Sequence, residues 1–323
     1  MADYEDAPRA ALDWHRAGKG AALATVIETW GSAPRPRGSQ LAISEDAELV
    51  GSVSGGCVEG AVVAEALDAM GDGRHRVLEY GVSDDEAFAV GLACGGRIKV
   101  LLEPVGGTLS PDLLGELLAR KARNEPVGQV VDVATGAAHL LGPGDGLDAR
   151  LRGDRSDFEP DGQTFVTLHA PPLRLAIVGG VHIAQALVPM ARAAGYAVTI
   201  IDPRDAFASE ARFPDTALVH DWPDETMVAF APDARSAVVL LTHDPKLDDP
   251  ALQIALASPA FYVGALGSTR THAKRVDRLQ EAGLDETAIA RIDAPIGLDI
   301  GARSPGEIAV AILAAMTQAL RKG

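Results

Sequence analysis

The chain has 323 residues, of which 47% are hydrophobic and 23% charged, and it carries a formal net charge of −16. Its length allows two cores and its composition is that of a globular protein. Such acidity excludes recruitment to nucleic acid or to an anionic membrane by general electrostatic attraction, so any phosphate-bearing ligand has to be drawn by local arginines and helix N-termini.

The opening MADYEDAPRAALDW is acidic and lacks the pattern of a secretory signal. The longest apolar stretch, IAVAILAAM over 308–316, is too short to span a bilayer. Two cysteines make no disulfide framework, and a cytoplasmic location is expected. A first helix is expected near 6–17, closed by Gly18 and followed by the strand AALATVIETW. The loop GSAPRPRG then sets Arg35 and Arg37 beside Pro34 and Pro36, with Gly31 and Gly38 at its edges. In so acidic a chain the arginine pair is a candidate anion clamp, the alternative being a solvated loop.

Two short strands, QLAIS and ELVGSV, lead to Cys57, which opens the amphipathic stretch CVEGAVVAEALDAM. Val58, Ala61, Val62 and Ala66 fall on one helical face, with Glu59 and Asp68 pointing away from it. HRVLEY and RIKVLLEPV read as strands, SPDLLGELLARKARNE as a helix with Pro111 early in it, and the remainder to about 170 as short strands.

Pro171 and Pro172 mark a seam, giving a mixed α/β domain over 1–170 and a second domain over 171–323. After the seam, RLAIVG, AVTIID, ALVHDW, AVVLLTH and AFYVGALG are apolar strands separated by helix-length segments. That alternation predicts a Rossmann-like, doubly wound parallel sheet. In the last helix, SPGE supplies Ser304 as N-cap, Pro305 in the first turn and Glu307 to complete a capping box.

The stretch IVGGVHIA occupies the first strand-to-helix turn of that sheet, where a dinucleotide-binding chain carries G-x-G-x-x-G/A. Gly179 and Ala184 fit the first and third positions, but Val181 stands at the second, where its side chain would project toward the phosphates. Asp202, ending the second strand, is placed for a ribose hydroxyl, and Arg204 for a ribose phosphate. A dinucleotide site and a Rossmann shape without one are both compatible with these residues. His243, Asp244, Ser268, Arg270 and Asp299 fall at the C-terminal strand ends and line one rim.

The two cysteines, Cys57 and Cys94, each adjoin a Gly-Gly pair. Cys57 lies near a helix N-terminus and Cys94 near Arg97, settings that favour thiolate; a small buried apolar residue is the other reading for each. The spacing contains no C-x-x-C or H-x-x-x-H, so no zinc site is expected.

The segments GSAPRPRGSQLAI, GSVSGGCVEG, YGVSDDEAFAVGLACGGRIKVLLEP, GGVHIAQAL, IDPRDAFASEARFPD, LTHDPKLDDPAL, YVGALGS and PIGLDIGARSPGEIAVAI together resemble the xanthine dehydrogenase accessory family (XdhC/CoxI) along nearly the whole chain. The resemblance implies a molybdenum cofactor chaperone. Such a protein binds the molybdopterin or its cytosine dinucleotide form, supports its sulfuration by a cysteine desulfurase and delivers it to a molybdenum hydroxylase of the xanthine dehydrogenase type. Gly55, Gly56 and Cys57 match the family's S-G-G-C-V-E segment, and Cys94, Gly95 and Gly96 its A-C-G-G segment. Arg35 matches the arginine of its G-S-x-P-R loop, and His182 the histidine of its second glycine turn, in which Gly179 and Gly180 stand. Val181 replaces the family's usual second glycine.

An accessory binding protein acting as a homodimer, with Cys57 and Cys94 handling sulfur or touching the molybdenum in one pocket, within the folded chain or across the dimer interface, is the leading expectation. The enzyme alternative is an NAD(P)-dependent oxidoreductase using the Rossmann-like domain, against which stand Val181 and the lack of an assignable acid/base pair. A scaffold with a vestigial nucleotide fold is the third reading.

Overall fold

Strand β1 (Ala21–Trp30) is buried from its first residue through Ile27 and forms the spine of the first unit. It pairs antiparallel with β2 (Gln40–Ser44) and β5 (Arg97–Pro104). With β3 (Leu49–Gly51) and β4 (Arg76–Tyr80) these make a five-stranded sheet of order β3-β2-β1-β5-β4. The computed structural model describes residues 6–31, 35–81 and 96–322, and the chain divides into two compact units, 1–171 and 172–323.

Alternation along β1 explains why its buried part, Ala21–Ile27, is apolar on both faces apart from Thr25. Ala22, Ala24 and Val26 face helix α2 (Glu59–Asp72), meeting its Val62, Ala66 and Ala69. Leu23 faces the other way, onto Leu12 of α1 (Ala7–Arg16) and Leu114 and Leu117 of α3 (Pro111–Ala122). A second antiparallel sheet, order β7-β6-β9-β8, is built from β6 (Val127–Asp132), β7 (Ala138–Leu141), β8 (Asp157–Phe158) and β9 (Thr164–His169), with α4 (Asp148–Gly153) before β8. Ile27, Leu101, Val131 and Phe165 form one cluster from the two sheets, each fully buried side chain contributing about 1.5–3 kcal/mol. The ELVGSV strand stops at Gly51, shorter than expected. There φ is +92° and an added Cβ would lie 2.3 Å from the Gln40 carbonyl oxygen, so the chain turns where only glycine fits.

The second unit is a six-stranded sheet of β10 (Leu173–Val178), β11 (Tyr196–Ile201), β12 (Ala217–Val219), β13 (Ser236–Leu240), β14 (Tyr262–Ala265) and β15 (Ile292–Asp293). Every pairing is parallel, and the order is β12-β11-β10-β13-β14-β15. This is the Rossmann order, reversing between β10 and β13. Both faces are covered. Leu175, Ile177, Ala237 and Val239 pack on α5 (His182–Ala193) and α10 (Pro305–Lys322), through Leu187, Ile312 and Met316. Ala176, Val178, Val238 and Leu240 pack on α7 (Pro245–Ala257) and α8 (Thr269–Glu281), through Leu247, Leu252 and Leu279. Helices α6 (Pro223–Phe230) and α9 (Glu286–Ile289) complete the crossovers.

The capping box of α10 is formed: Glu307 accepts from the Ser304 amide at 2.9 Å, and the Glu307 amide donates to the Ser304 hydroxyl at 3.3 Å. Two short elements depart from the periodicity reading: α4 is a helix in a stretch expected to hold only short strands, and the sixth strand, two residues long, was not separated from its surroundings.

Candidate functional site

In the first unit, the loop before α2 is folded by Glu59. Its Oε1 accepts from the Ser52 hydroxyl at 2.8 Å, the Ser54 amide at 2.9 Å and the Val53 amide at 3.3 Å. Its Oε2 accepts from the Gly56 amide at 2.8 Å and from the Ser54 hydroxyl. Ser54 Oγ in turn accepts from the Val58 amide, and Ser52 Oγ from the Gly55 amide, each at 2.9 Å. Burial pushes the Glu59 carboxyl up, but the Ser54 hydroxyl and amide and the Ser52 hydroxyl outweigh it and hold the group at about 2. Glu59 therefore does not point away from the apolar face into solvent, as helical periodicity predicts; it is buried because the turning loop supplies donors that a wheel projection ignores. Asp68 is exposed as expected.

The consequence is a presented backbone. Gly55 and Gly56 are exposed with φ of +75° and +115°, and a Cβ built on Gly56 would meet no atom within 4 Å. Cys57 follows at the mouth of α2, half-buried against the cluster containing Val53, Val58 and Val62. Two exposed glycines, with open space over Gly56, and an adjacent soft sulfur fit a flat, sulfur-bearing ligand that needs close backbone approach. Cys94 and Gly95 lie outside the described residues, so their expected pairing with Cys57 has no geometry here; Gly96 is buried at the start of β5.

The arginine loop is differently disposed from the clamp expected. Arg37 forms an ion pair with Asp157 on β8, which engages the guanidinium within the unit. Gly38 is needed there: its φ is +85° and a Cβ would lie 2.2 Å from Ser156 Oγ. Arg35 is half-buried and has partners of its own.

In the second unit the glycine turn is packed by its own chain. A Cβ on Gly179 would lie 2.7 Å from Thr242 Cγ2, and one on Gly180 would lie 2.5 Å from the Phe207 carbonyl oxygen. Asp202 has a fully buried carboxylate that accepts from the Gly180 amide at 2.9 Å, and from the Arg204 amide, Nε and Nη2 at 3.1, 2.8 and 2.7 Å. Burial opposes its ionisation, but these donors hold the carboxyl below its ordinary value. Arg204 also lies 4.0 Å over the Phe207 ring. The ribose roles expected of Asp202 and Arg204 are thus taken up by a turn-fixing network, because the two residues neutralise each other. Val181 N-caps α5 and is half-buried against the core rather than projecting freely, and His182 is exposed at the first position of that helix.

Of the expected rim residues, His243 and Arg270 line a second feature of this unit, and Asp244, Ser268 and Asp299 are not among its lining residues. His243 holds a left-handed φ of +62° in the turn after β13, and Ser268 N-caps α8, accepting from the Thr271 amide at 3.2 Å. Between α7 and α8 lies a cavity of about 270 Å³ lined by His243, Asp248, Arg270, Lys274, Arg275 and Arg278, among others. Asp248 and Arg275 are both 1% exposed and sit 3.6 Å apart. Burial pushes the Asp248 carboxyl up, against the pull of the Thr242 hydroxyl and the Arg275 guanidinium. Sequence reasoning missed Asp248, Lys274, Arg275 and Arg278; the signal available was the four-residue spacing of Arg270, Lys274 and Arg278, which places them on one helical stripe. Asp299 is exposed.

Among the described residues no group of three or more His, Cys, Asp or Glu side chains could hold a metal ion, and no helix is long and apolar enough to cross a membrane.

Comparison with known proteins accounts for both units. A family profile described as the XdhC and CoxI family matches residues 14–81, and one described as the XdhC Rossmann domain matches 175–316. The sequence is 35% identical to the molybdenum cofactor insertion chaperone PaoD of Escherichia coli, over 97% of this chain and 87% of that one. It is 26% identical to a probable xanthine dehydrogenase subunit of Bacillus subtilis, over 94% of each chain. The crystal structure of a xanthine dehydrogenase from Bacillus halodurans has the same fold, with a TM-score of 0.75 at 26% identity, covering 100% of this chain and 96% of that one.

Proposed function

We propose, since the chain belongs to the XdhC and CoxI family, that it is a molybdenum cofactor chaperone: it binds the pterin cofactor as cargo and supports its insertion into a xanthine dehydrogenase-type molybdenum hydroxylase. The observation that carries this reading is the 35% identity to an insertion chaperone, which extends over 97% of this chain and so includes both units.

The Gly55-Gly56-Cys57 loop is the part of the site that this reading uses first. Glu59 preorganises it, so the loop does not have to lose conformational freedom when the cargo docks. Gly55 and Gly56 allow the cargo to approach the main chain, and Cys57 offers a sulfur ligand or a sulfur-transfer group next to them. When bound, the cofactor supplies the dithiolene-held molybdenum; the chain binds, shields and releases it. A cysteine desulfurase as sulfur donor, a cytoplasmic location, a homodimer and a role for Cys94 beside Cys57 belong to the same proposal, as does a choice between the molybdopterin and its cytosine dinucleotide form.

The oxidoreductase alternative finds less support. The acidic residue that would take a ribose hydroxyl, Asp202, is committed to Gly180 and Arg204. Anaerobic purification followed by metal analysis and mass spectrometry of the released small molecule tests the reading. Molybdenum with a pterin is expected; a nicotinamide dinucleotide in its place would contradict it.

A further inference from the structure

We propose that the cavity between α7 and α8 is a phosphate-binding site, and that it takes the phosphoryl tail of the pterin cofactor. The identity of that phosphoryl group rests on the chaperone reading; the existence of the site does not.

Three observations support it. The first is local charge. In a chain of net charge −16, this cavity is lined by Arg270, Lys274, Arg275 and Arg278 together with His243, against one lining carboxylate, Asp248. Arg278 is bridged by Asp249, at 2.5 Å from Nε and 3.0 Å from Nη2, which fixes it in place. Arg270 and Lys274 are exposed.

The second is Arg275. It is 1% exposed, yet among the described residues its Nε and Nη1 have no hydrogen-bond partner. Only Nη2 is satisfied, donating to the Leu266 carbonyl at 2.9 Å, and the Asp248 carboxylate at 3.6 Å is too far for a direct hydrogen bond. Buried donors on a charged group are costly to leave unmade. Arg275 thus sets an incompletely paired positive charge in the wall of the cavity, and a phosphate held by Arg270 and Lys274 would compensate it.

The third is position. Arg270 and Thr271 stand in the first turn of α8, where the helix dipole favours negative charge. The cavity opens at the C-terminal ends of β13 and β14, the edge at which doubly wound sheets bind ligands. Gly267, with φ of +146°, permits the tight entry into α8: a Cβ there would press on Thr271 at 3.1 Å. At about 270 Å³ the cavity is below the range of whole-ligand pockets, ~300–1,000 Å³, and suits a phosphoryl or pyrophosphoryl group rather than a complete pterin dinucleotide.

The test titrates inorganic pyrophosphate into the full chain by calorimetry, for wild type, for the double variant Arg270→Ala/Lys274→Ala and for Arg275→Met. The double variant changes exposed side chains and keeps the test valid should Arg275→Met fail to fold. Pyrophosphate is expected to bind wild type and to bind the double variant at least tenfold more weakly; equal affinities, or no binding to wild type, would overturn the site. In a second arm, cofactor extracted anaerobically is bound with and without pyrophosphate. Competition, and weaker cofactor binding by the double variant, are expected. Pyrophosphate binding that depends on Arg270 and Lys274 without any effect on cofactor binding would overturn the assignment to the cofactor tail. Failure of wild type to bind cofactor while retaining that pyrophosphate site would overturn the chaperone reading and leave the phosphate site standing.

Discussion

The Glu59 carboxylate accepts from both the amide and the hydroxyl of Ser54, so a residue in the first turn of α2 folds the loop that leads into its own helix. This inverts the usual cap, in which a residue before the helix satisfies amides inside it. Here Val58, at the cap position, has no side-chain oxygen to offer, and Ser54 and Glu59 share the task. The result is a rigid turn whose outer surface is Gly55, Gly56 and Cys57.

Replacing Glu59 with Gln keeps the size but removes the charge and turns one acceptor into a donor facing donors. Glu59→Gln should cost about 2–3 kcal/mol at pH 7, read as a lower urea midpoint. The folded carboxyl stands at about 2, below its ordinary 4.5, so its contribution is complete above pH 4.5 and is lost as pH falls toward 2. The gap between variant and wild type should therefore narrow between pH 5 and pH 3. A gap that stays constant over that range would show that the carboxylate is not what holds the loop.

Glu103 predicts the opposite pH trend. It lies on β5 with no exposure and, among the described residues, neither of its carboxyl oxygens has a partner. Burial pushes its carboxyl up to about 8. Between about pH 4.5 and 8 the folded chain holds this proton and the unfolded chain does not, so stability falls as pH rises through that window, by at most about 1.4 kcal/mol per unit. Glu103→Gln should match wild type near pH 5 and exceed it near pH 8. Parallel stability curves for the two proteins would contradict this.

Much of the architecture could be read from the residues. The double-faced apolar strands expected at RLAIVG and AVVLLTH and the Ser304–Glu307 box express local rules, and the structure follows them. The site was less accessible because it depends on contacts that no period encodes. Glu59 looks like a surface position until the Ser52–Gly56 turn brings donors to it. Asp202 has the right place for a ribose, but Arg204, two residues on, occupies it. Arg275 reads as one more charge on a polar helix, and its burial against Asp248 arises only when α7 and α8 are brought together.

Val181 offers a separate check on the glycine turn. Because Phe207 packs its carbonyl on Gly180 and Asp202 is committed internally, opening the second motif position should not create a dinucleotide site. Val181→Gly should leave titrations with NAD and NADP unchanged and lower stability by about 1 kcal/mol through lost packing. New saturable binding of either dinucleotide would mean that Val181 was the obstacle and that the turn opens on ligand binding.

The most direct test of the chaperone account is transfer. Anaerobically prepared cofactor is loaded on wild type and on Cys57→Ser, then mixed with a cofactor-free hydroxylase of the xanthine dehydrogenase type, with free cofactor as the reference. Cys57 is half-buried beside Val53 and Val58, so serine should fold with a loss of about 1 kcal/mol, checked by thermal unfolding. The account predicts molybdenum bound to wild type, hydroxylase activity above that given by free cofactor, and a loss of both in Cys57→Ser. Wild type that binds no molybdenum and raises recipient activity no further than free cofactor does would contradict it.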